Sequence, residues 1–292
     1  MNTPFELIRL LRPQQWVKSL FVLVGLLFSH AWGDVSLVWR VLAAAGGFSL
    51  VSSCIYILND IADREADRQH PVKSKRPLAR GSVSLNAAVV LAIVVGTLGG
   101  VFGYYASPLV AMMLALYGLM NIAYTLGLKR VVILDVFIIA SGFMLRILAG
   151  TSGVGIPPSQ WLLLCGLMLT LFLGFVKRRA ELNHVNANNS GQRKVLHDYS
   201  AALLDPMITI TAAGIIMSYS LYTLSPETIA LHGTSLLMLS VPFVIYGVFR
   251  YLFLLHRHSQ GEDAASEVVQ DVHLVVTFLA WLAVTFWLIA LR

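Results

Sequence analysis

Apolar residues fall in long unbroken runs along this chain, separated by short polar breaks and by two longer charged ones. Runs long enough to cross a bilayer lie at about 17–33, 37–58, 86–106, 108–127, 131–150, 160–177, 205–224, 236–255 and 271–291. A spanning helix needs ~20 mostly apolar residues, and continuous runs favour helices over the short alternating strands of a barrel. The pattern predicts an all-α polytopic membrane protein with nine transmembrane helices in one domain over 1–292.

The basic residues alternate with the predicted spans. Arg9, Arg12 and Lys18 accompany the first. Arg64, Arg68, Lys73, Lys75, Arg76 and Arg80 follow the second, and Lys129 and Arg130 the fourth. Lys177, Arg178, Arg179, Arg193 and Lys194 follow the sixth, and Arg250 and Arg257 the eighth. The breaks near 30–36, 104–108, 151–160 and 225–235 contain none; only Arg40, Arg146 and Arg292 depart from the alternation. Lys and Arg collect in cytoplasmic loops. The N-terminus is therefore expected in the cytoplasm and the C-terminus outside, in a multi-pass protein of the inner (plasma) membrane. Two cytoplasmic loops, about 59–85 and 178–204, are long and charged, and loops of that kind commonly carry chemistry.

Composition agrees. Hydrophobic residues make up 57% of the chain and charged residues only 12%, against about 25% charged in soluble domains. So few charges cannot coat a water-facing surface. The net charge of +6 is accounted for by the topology of the loops and does not call for nucleic acid. Cys54 and Cys165 sit inside apolar runs and read as buried hydrophobes rather than a disulfide. No small-residue cleavage site follows the first run, so that run is expected to remain as a helix.

Candidate chemistry gathers where the second span ends. If its helix continues, Tyr56, Asn59, Asp63 and Asp67 lie on one stripe at i, i+3, i+7 and i+11, with Asp60 beside it. Carboxylates on one face repel each other unless a cation lies between them. All-oxygen ligands favour a hard ion such as Mg²⁺, which usually shares its sphere with phosphate oxygens. The alternative is a solvated helix end in which Arg64 and Arg68 pair with Asp60, Asp63 or Asp67. Downstream, Lys73, Lys75, Arg76 and Arg80 follow within eight positions, with Pro71 and Pro77 interrupting regular helix. Carboxylates for a metal beside cations for phosphate describe a Mg–diphosphate site.

These residues resemble a known family. Asn59, Asp60, Asp63 and Asp67 reproduce the Asn-Asp-x-x-Asp-x-x-x-Asp motif of the UbiA superfamily of membrane prenyltransferases, and Lys73-Ser74-Lys75-Arg76-Pro77 matches its basic stretch. The resemblance spans nearly the whole chain and implies a UbiA-type bundle. Typical members carry a second Asp-rich motif after the sixth span. Here that loop reads Lys177-Arg178-Arg179-Ala180-Glu181-Leu182 and then His197-Asp198-Tyr199, without a compact aspartate pair. Together with Leu11-Arg12-Pro13-Gln14-Gln15-Trp16-Val17-Lys18 and Tyr124-Thr125-Leu126-Gly127-Leu128-Lys129, it resembles the decaprenyl-phosphate phosphoribosyltransferase branch. That branch transfers 5-phosphoribose from phosphoribosyl pyrophosphate to a polyprenyl phosphate, for cell-envelope pentoses.

The resemblance implies Mg²⁺ as cofactor, with Asn59, Asp60, Asp63 and Asp67 as ligands and Asp60, Asp63 and Lys73 as the catalytic set. It implies phosphate contacts from Lys18, Tyr56, Lys73, Arg76, Arg80, Lys129, Lys177, Arg178 and Tyr199. The expected partners are the soluble donor, the lipid phosphate and the membrane; a homo-oligomer is compatible with this. Competing functions are prenyl transfer to an aromatic acceptor and transport. Transport fits less well, because carriers place ionisable groups near the bilayer midplane. Arg146, in the fifth span, is a functional candidate by position, but near the outer end of that span it is expected either to snorkel or to play a structural role. Asp135 is expected either in the ligand shell or paired with Lys129 or Arg130. Tyr199 is expected either at phosphate or as an interfacial aromatic. His256 and His258 are expected in a solvated loop.

Overall fold

Five serine or aspartate caps set where helices begin in the computed structural model. Asp34, Ser84, Ser107, Ser200 and Ser225 each accept the backbone N–H three residues on, satisfying a donor that the first helical turn leaves open. The structure describes residues 4–69, 72–187, 196, 198–257 and 271–290, and among them it is helical with no strand. A short α1 (Pro4–Leu11) precedes a 3-10 stretch, Pro13–Leu23, and α2 (Val24–Phe28). Then come α3 (Val35–Ala62), α4 (Arg64–Gln69), α5 (Pro77–Arg80), α6 (Leu85–Ala106), α7 (Pro108–Leu126) and α8 (Leu134–Ala149). The remainder is α9 (Gln160–Ala187), α10 (Ala201–Leu224), α11 (Pro226–His232), α12 (Val241–Arg257) and α13 (Val272–Ala290).

Among the described residues, eight helical spans are long and apolar enough to cross a membrane: α3, α6, α7, α9, α10 and α13, α8 continued to Val154, and Leu236–His256, which holds most of α12. The all-α polytopic architecture stands. The expected ninth span, 17–33, is instead a broken segment of 3-10 and α-helix. Packing gives the reason. A Cβ on Gly150 would overlap the Val22 carbonyl, and one on Gly25 would overlap the Gly150 carbonyl. The chain at 22–25 thus runs directly against the backbone at 150. The sixth span also differs: its helix continues through the charged residues to Ala187, so much of the expected loop 178–204 is helix.

The chain divides into two compact units. The first comprises Met1–Leu26, Ala31–Leu128 and Leu145–Pro157. Its core joins Val41, Ala44 and Phe48 of α3 to Val110, Leu114 and Tyr117 of α7. A second cluster joins Ile57 to Leu10, Leu78, Ala88 and Ala92. Small residues let α3 and α6 approach closely: a Cβ on Gly99 would lie 3.1 Å from the Gly47 carbonyl oxygen and from the Val51 backbone nitrogen. Close backbone approach of this kind is how helices associate where hydrophobic burial supplies no driving force.

The first unit decides between the two expectations for Arg146 in favour of the structural one. Its side chain is 4% exposed and does not snorkel. Its guanidinium donates to Ser52 Oγ at 2.8 Å and Tyr117 Oη at 3.1 Å, and lies 4.6 Å from the Tyr117 ring centroid and 5.2 Å from that of Phe48. Two hydroxyls and two aromatic faces hold the charge inside the helices, where reaching water would leave Ser52 and Tyr117 without it.

The second unit comprises Leu27–His30, Lys129–Met144 and Pro158–Arg292. Val136 and Ala140 of α8 pack with Phe172 and Phe175 of α9, Ile208, Ala212 and Ile215 of α10, and Tyr251 of α12. Large exposed apolar side chains such as Ile93, Met112, Ile210 and Phe249 form the kind of surface that lipid covers.

Candidate active site

The motif sits where α3 ends. Asp63 closes that helix with φ −90° and ψ 3°, and α4 begins at the next residue. Backbone bonds bridge the break, from Asp63 N–H to the Asn59 carbonyl at 2.9 Å and from Asp67 N–H to the Asp63 carbonyl at 2.8 Å. The non-helical ψ redirects α4, so the expected stripe through Asn59, Asp63 and Asp67 does not form as drawn. Instead Asp60 and Asp67 are each 3% exposed, whereas Asp63 is exposed.

Arginines hold the two buried carboxylates. Arg76 Nη1 donates to Asp60 Oδ1 at 3.1 Å and to Asp67 Oδ2 at 2.7 Å. Arg12 Nη2 donates to the same Asp60 Oδ1 at 2.6 Å, and its guanidinium stands 5.0 Å from the Tyr56 ring centroid. Asn59 Oδ1 accepts from Thr125 Oγ1 at 3.2 Å. The expected alternative, pairing with Arg64 or Arg68, is not what these contacts show: Arg68 bonds Glu65 at 2.9 Å and the Ala79 carbonyl at 3.3 Å.

The basic stretch is shaped by proline and glycine. Lys73 lies in a single 3-10 turn, Pro77 opens α5, and Gly81 closes it at φ 79°, a left-handed conformation that glycine adopts without strain. Arg76, the residue just before Pro77, is extended (ψ 146°), as its position requires. Arg80 pairs with Glu6 of α1 at 2.8 Å, and Ser82 donates to the same carboxylate at 3.0 Å. Those bonds draw the Glu6 carboxyl below its usual range, the Ser82 hydroxyl first and then Arg80. Lys73 is exposed and Lys18 and Tyr56 are half-buried, each engaged by neighbours within the fold. His70 and Pro71 lie outside the described residues.

In the second unit Lys129 is half-buried on a 3-10 turn, and Lys177 is half-buried within α9. Arg178 and Tyr199 are placed otherwise than expected. Arg178 is 1% exposed and donates to Asp135 Oδ2 at 2.6 Å and Glu181 Oε2 at 2.5 Å. The Tyr199 hydroxyl donates to Asp135 Oδ1 at 2.7 Å and accepts the Ile133 N–H at 2.7 Å. Burial first, then the bond to Asp135, raises the Tyr199 hydroxyl well above the usual range. Asp135 therefore pairs with Arg178 and Tyr199, not with Lys129 or Arg130. Carboxylates of the fold itself pair with Arg178 here. Arg193, Lys194, His197 and His258 lie outside the described residues.

Reading by sequence missed Arg12, Thr125 and Glu6 as parts of this cluster. Arg12 had a signal: it stands immediately before Pro13 in the Leu11–Lys18 stretch that carries the resemblance; the structure adds that it lies at φ 54°, a strained conformation for a side chain of its size. Thr125 lay in the Tyr124–Lys129 stretch that carries the resemblance, whereas Glu6 carried no signal, since only tertiary structure brings it near residues far along the chain.

Among the described residues, no three acidic, histidine or cysteine side chains are gathered closely enough to hold a metal ion. The donor chemistry nevertheless fits a hard divalent ion. Two buried carboxylates, of Asp60 and Asp67, converge on one cationic nitrogen, that of Arg76. The site is built to hold positive charge, and guanidinium groups supply it here.

Fold and site together define a polytopic helical membrane protein whose first long helix ends in a carboxylate cluster faced by arginines. The chain belongs to the UbiA prenyltransferase family, whose sequence profile matches residues 19–272. It is 31% identical over 286 residues to a decaprenyl-phosphate phosphoribosyltransferase of Mycobacterium tuberculosis, covering 97% of this chain and 93% of that one. It is 33% identical over 294 residues to the protein of the same name in Mycolicibacterium smegmatis, covering 96% and 91%. A UbiA homologue from Archaeoglobus fulgidus, solved with GPP and Mg²⁺ bound, superposes with a TM-score of 0.70 at 16% identity, over 98% of this chain and 99% of that one. At that identity the likeness establishes the fold.

Proposed function

We propose that this chain transfers 5-phosphoribose from phosphoribosyl pyrophosphate to a polyprenyl phosphate, at the cytoplasmic face of the membrane. The bond from the anomeric carbon to the diphosphate oxygen breaks, a bond from that carbon to the lipid phosphate oxygen forms, and diphosphate leaves. The observation that carries the reading is nearly full-length similarity to two decaprenyl-phosphate phosphoribosyltransferases. The local chemistry supports it: cations, not a second aspartate pair, follow the sixth span.

Asn59, Asp60, Asp63 and Asp67 would hold Mg²⁺, which when bound supplies electrostatic stabilisation to the departing diphosphate. Lys73, Arg76 and Arg80 bind diphosphate oxygens, and Arg76 is the best placed, since it already faces Asp60 and Asp67. Lys18 and Tyr56 bind and orient the same anion. Lys129 and Lys177 are assigned to phosphate. The lipid phosphate is ionised at neutral pH, so no strong general base is needed.

The test is purified protein in lipid nanodiscs, given labelled phosphoribosyl pyrophosphate with decaprenyl phosphate, and separately prenyl diphosphate with hydroxybenzoate. Label should enter the lipid only in the first mixture. Asp60→Ala, Asp63→Ala and Lys73→Ala should each lower turnover by about 100-fold or more, the scale of losing one preorganised electrostatic group. Near-normal turnover in all three, or prenylation of hydroxybenzoate, overturns the reading.

A further inference from the structure

We infer that Arg12 and Arg76 are exchangeable counter-ions that make divalent-metal binding at Asp60 and Asp67 conditional on the diphosphate. The inference rests on the reading of the first motif as a metal–diphosphate site and adds to it an order of events and a residue, Arg12, that the motif does not contain.

Three observations carry it. Both guanidinium groups converge on one oxygen, Asp60 Oδ1, at 2.6 Å and 3.1 Å, and Arg76 reaches on to Asp67 at 2.7 Å. Two buried carboxylates and two guanidiniums therefore already balance. Exposure is also graded: the Arg12 and Arg76 side chains are 25% and 30% exposed, whereas those of Asp60 and Asp67 are 3% and 5%. An anion from solvent meets the arginines first, and a cation must pass them to reach the carboxylates. Finally, Arg12 is held in place at a cost. Its backbone stands at φ 54°, a conformation that is strained for a non-glycine residue, and the Tyr56 ring supports its guanidinium.

The consequence follows from charge. A divalent ion entering alone must compete with two guanidiniums for the same oxygens and leave them facing a like charge at short range. A diphosphate brings several negative charges and oxygens that suit a guanidinium's paired donors. Once the arginines turn to those oxygens, Asp60 Oδ1 and Asp67 Oδ2 are released to the metal. Metal and diphosphate each lower the free energy of binding the other, and the coupling is reciprocal. The device keeps the ion from being held without substrate.

Manganese is the probe, counted as free ion by electron paramagnetic resonance, with inorganic pyrophosphate as the anion. Pyrophosphate is common to phosphoribosyl and prenyl donors, so the experiment does not depend on which one the protein uses. Saturating pyrophosphate should tighten Mn²⁺ binding by about tenfold or more, within the usual range of coupling between sites. Arg12→Gln and Arg76→Gln should each bind Mn²⁺ more tightly than the wild type when pyrophosphate is absent, and each should show weaker coupling. Removing a cation thus strengthens binding of the ion while weakening binding of pyrophosphate. If Arg76→Gln does not fold, Arg12→Gln decides, because it leaves the Arg76 bridge between the carboxylates in place. Equal Mn²⁺ affinity with and without pyrophosphate, or variants that bind Mn²⁺ no more tightly alone, overturns the inference while leaving the proposed transfer intact. Failure of both ions to bind at all overturns the metal–diphosphate reading with it.

Discussion

Deleting one oxygen, in Tyr199→Phe, should destabilise the second unit more than its conservative character suggests. The hydroxyl joins three segments: it donates to Asp135 on α8, accepts the Ile133 N–H ahead of α8, and stands just ahead of α10. Ile133 is a β-branched residue at φ 70°, a conformation costing about 1–2 kcal/mol that tertiary contacts must hold. Phenylalanine fills the same space but removes a hydrogen bond to an ionised carboxylate, about 1.5–3 kcal/mol, and leaves a buried N–H without its acceptor, about 1–3 kcal/mol. The two losses share one hydroxyl and are not independent, so the expected total is about 3–4 kcal/mol. Asp135→Ala should cost about 3–5 kcal/mol, because it strands Arg178, which is 1% exposed, with Glu181 as its remaining carboxylate. Adding Ile133→Gly to Tyr199→Phe should recover about 1 kcal/mol by removing the left-handed strain. Unfolding of the detergent-solubilised protein, followed by helical circular dichroism, measures all three. The raised pKa of Tyr199 keeps its hydroxyl protonated, so the deficit should be flat across neutral pH. A Tyr199→Phe protein within about 0.5 kcal/mol of wild type, the range of an ordinary surface change, would show that the hydroxyl fixes nothing.

Three further outcomes are expected. His232 is 1% exposed, bonded to His30 at 2.7 Å and Tyr222 at 3.0 Å, and burial followed by the His30 charge holds its pKa down to about 4 from 6.5. Its folded value lies below the unfolded one, so its stabilisation is fully present above pH 6.5 and is lost as pH falls through about 4; up to about 3 kcal/mol should disappear in that window, and His232→Gln should flatten melting temperature against pH. Arg146→Met should cost only about 1–3 kcal/mol by the same unfolding measurement, because Ser52 and Tyr117 keep each other's hydroxyl at 3.2 Å when the guanidinium is gone. Gly150→Ala places a methyl against the Val22 carbonyl; since neither backbone can yield, little folded protein should be recovered by size exclusion after membrane extraction, and a monodisperse, normally stable product would refute the close contact.

The long helices were legible because hydropathy over twenty residues averages out local detail, and because cap residues such as Ser84 and Ser107 mark their starts. The segment 17–33 passed the same test and is not one helix. It packs against the backbone of Gly150, over a hundred residues away, a contact that no local pattern encodes. The end of α9 failed in the opposite direction. Residues 178–187 were assigned to a loop on polarity, yet Arg178, Arg179, Ala180, Glu181 and Leu182 are strong helix formers, and the helix continues to Ala187. Arg146 was placed by distance along its own helix. Where its side chain goes depends on Ser52 and Tyr117, which lie on two other helices.

The site was legible in kind and not in pairing. Spacing put Asp60, Asp63 and Asp67 together, and the nearest cations in sequence, Arg64 and Arg68, were the natural partners. The partners found for Asp60 lie 48 residues before it and 16 after it. The difference bears on the inferred exchange of counter-ions. A carboxylate neutralised by a neighbour one helical turn away stays neutralised in every state of the protein, and has nothing to offer an incoming metal. One neutralised by Arg12 and Arg76, on segments separated from it by turns, can be released when those segments find a better anion. A motif of this kind needs its cations close in space and distant in sequence.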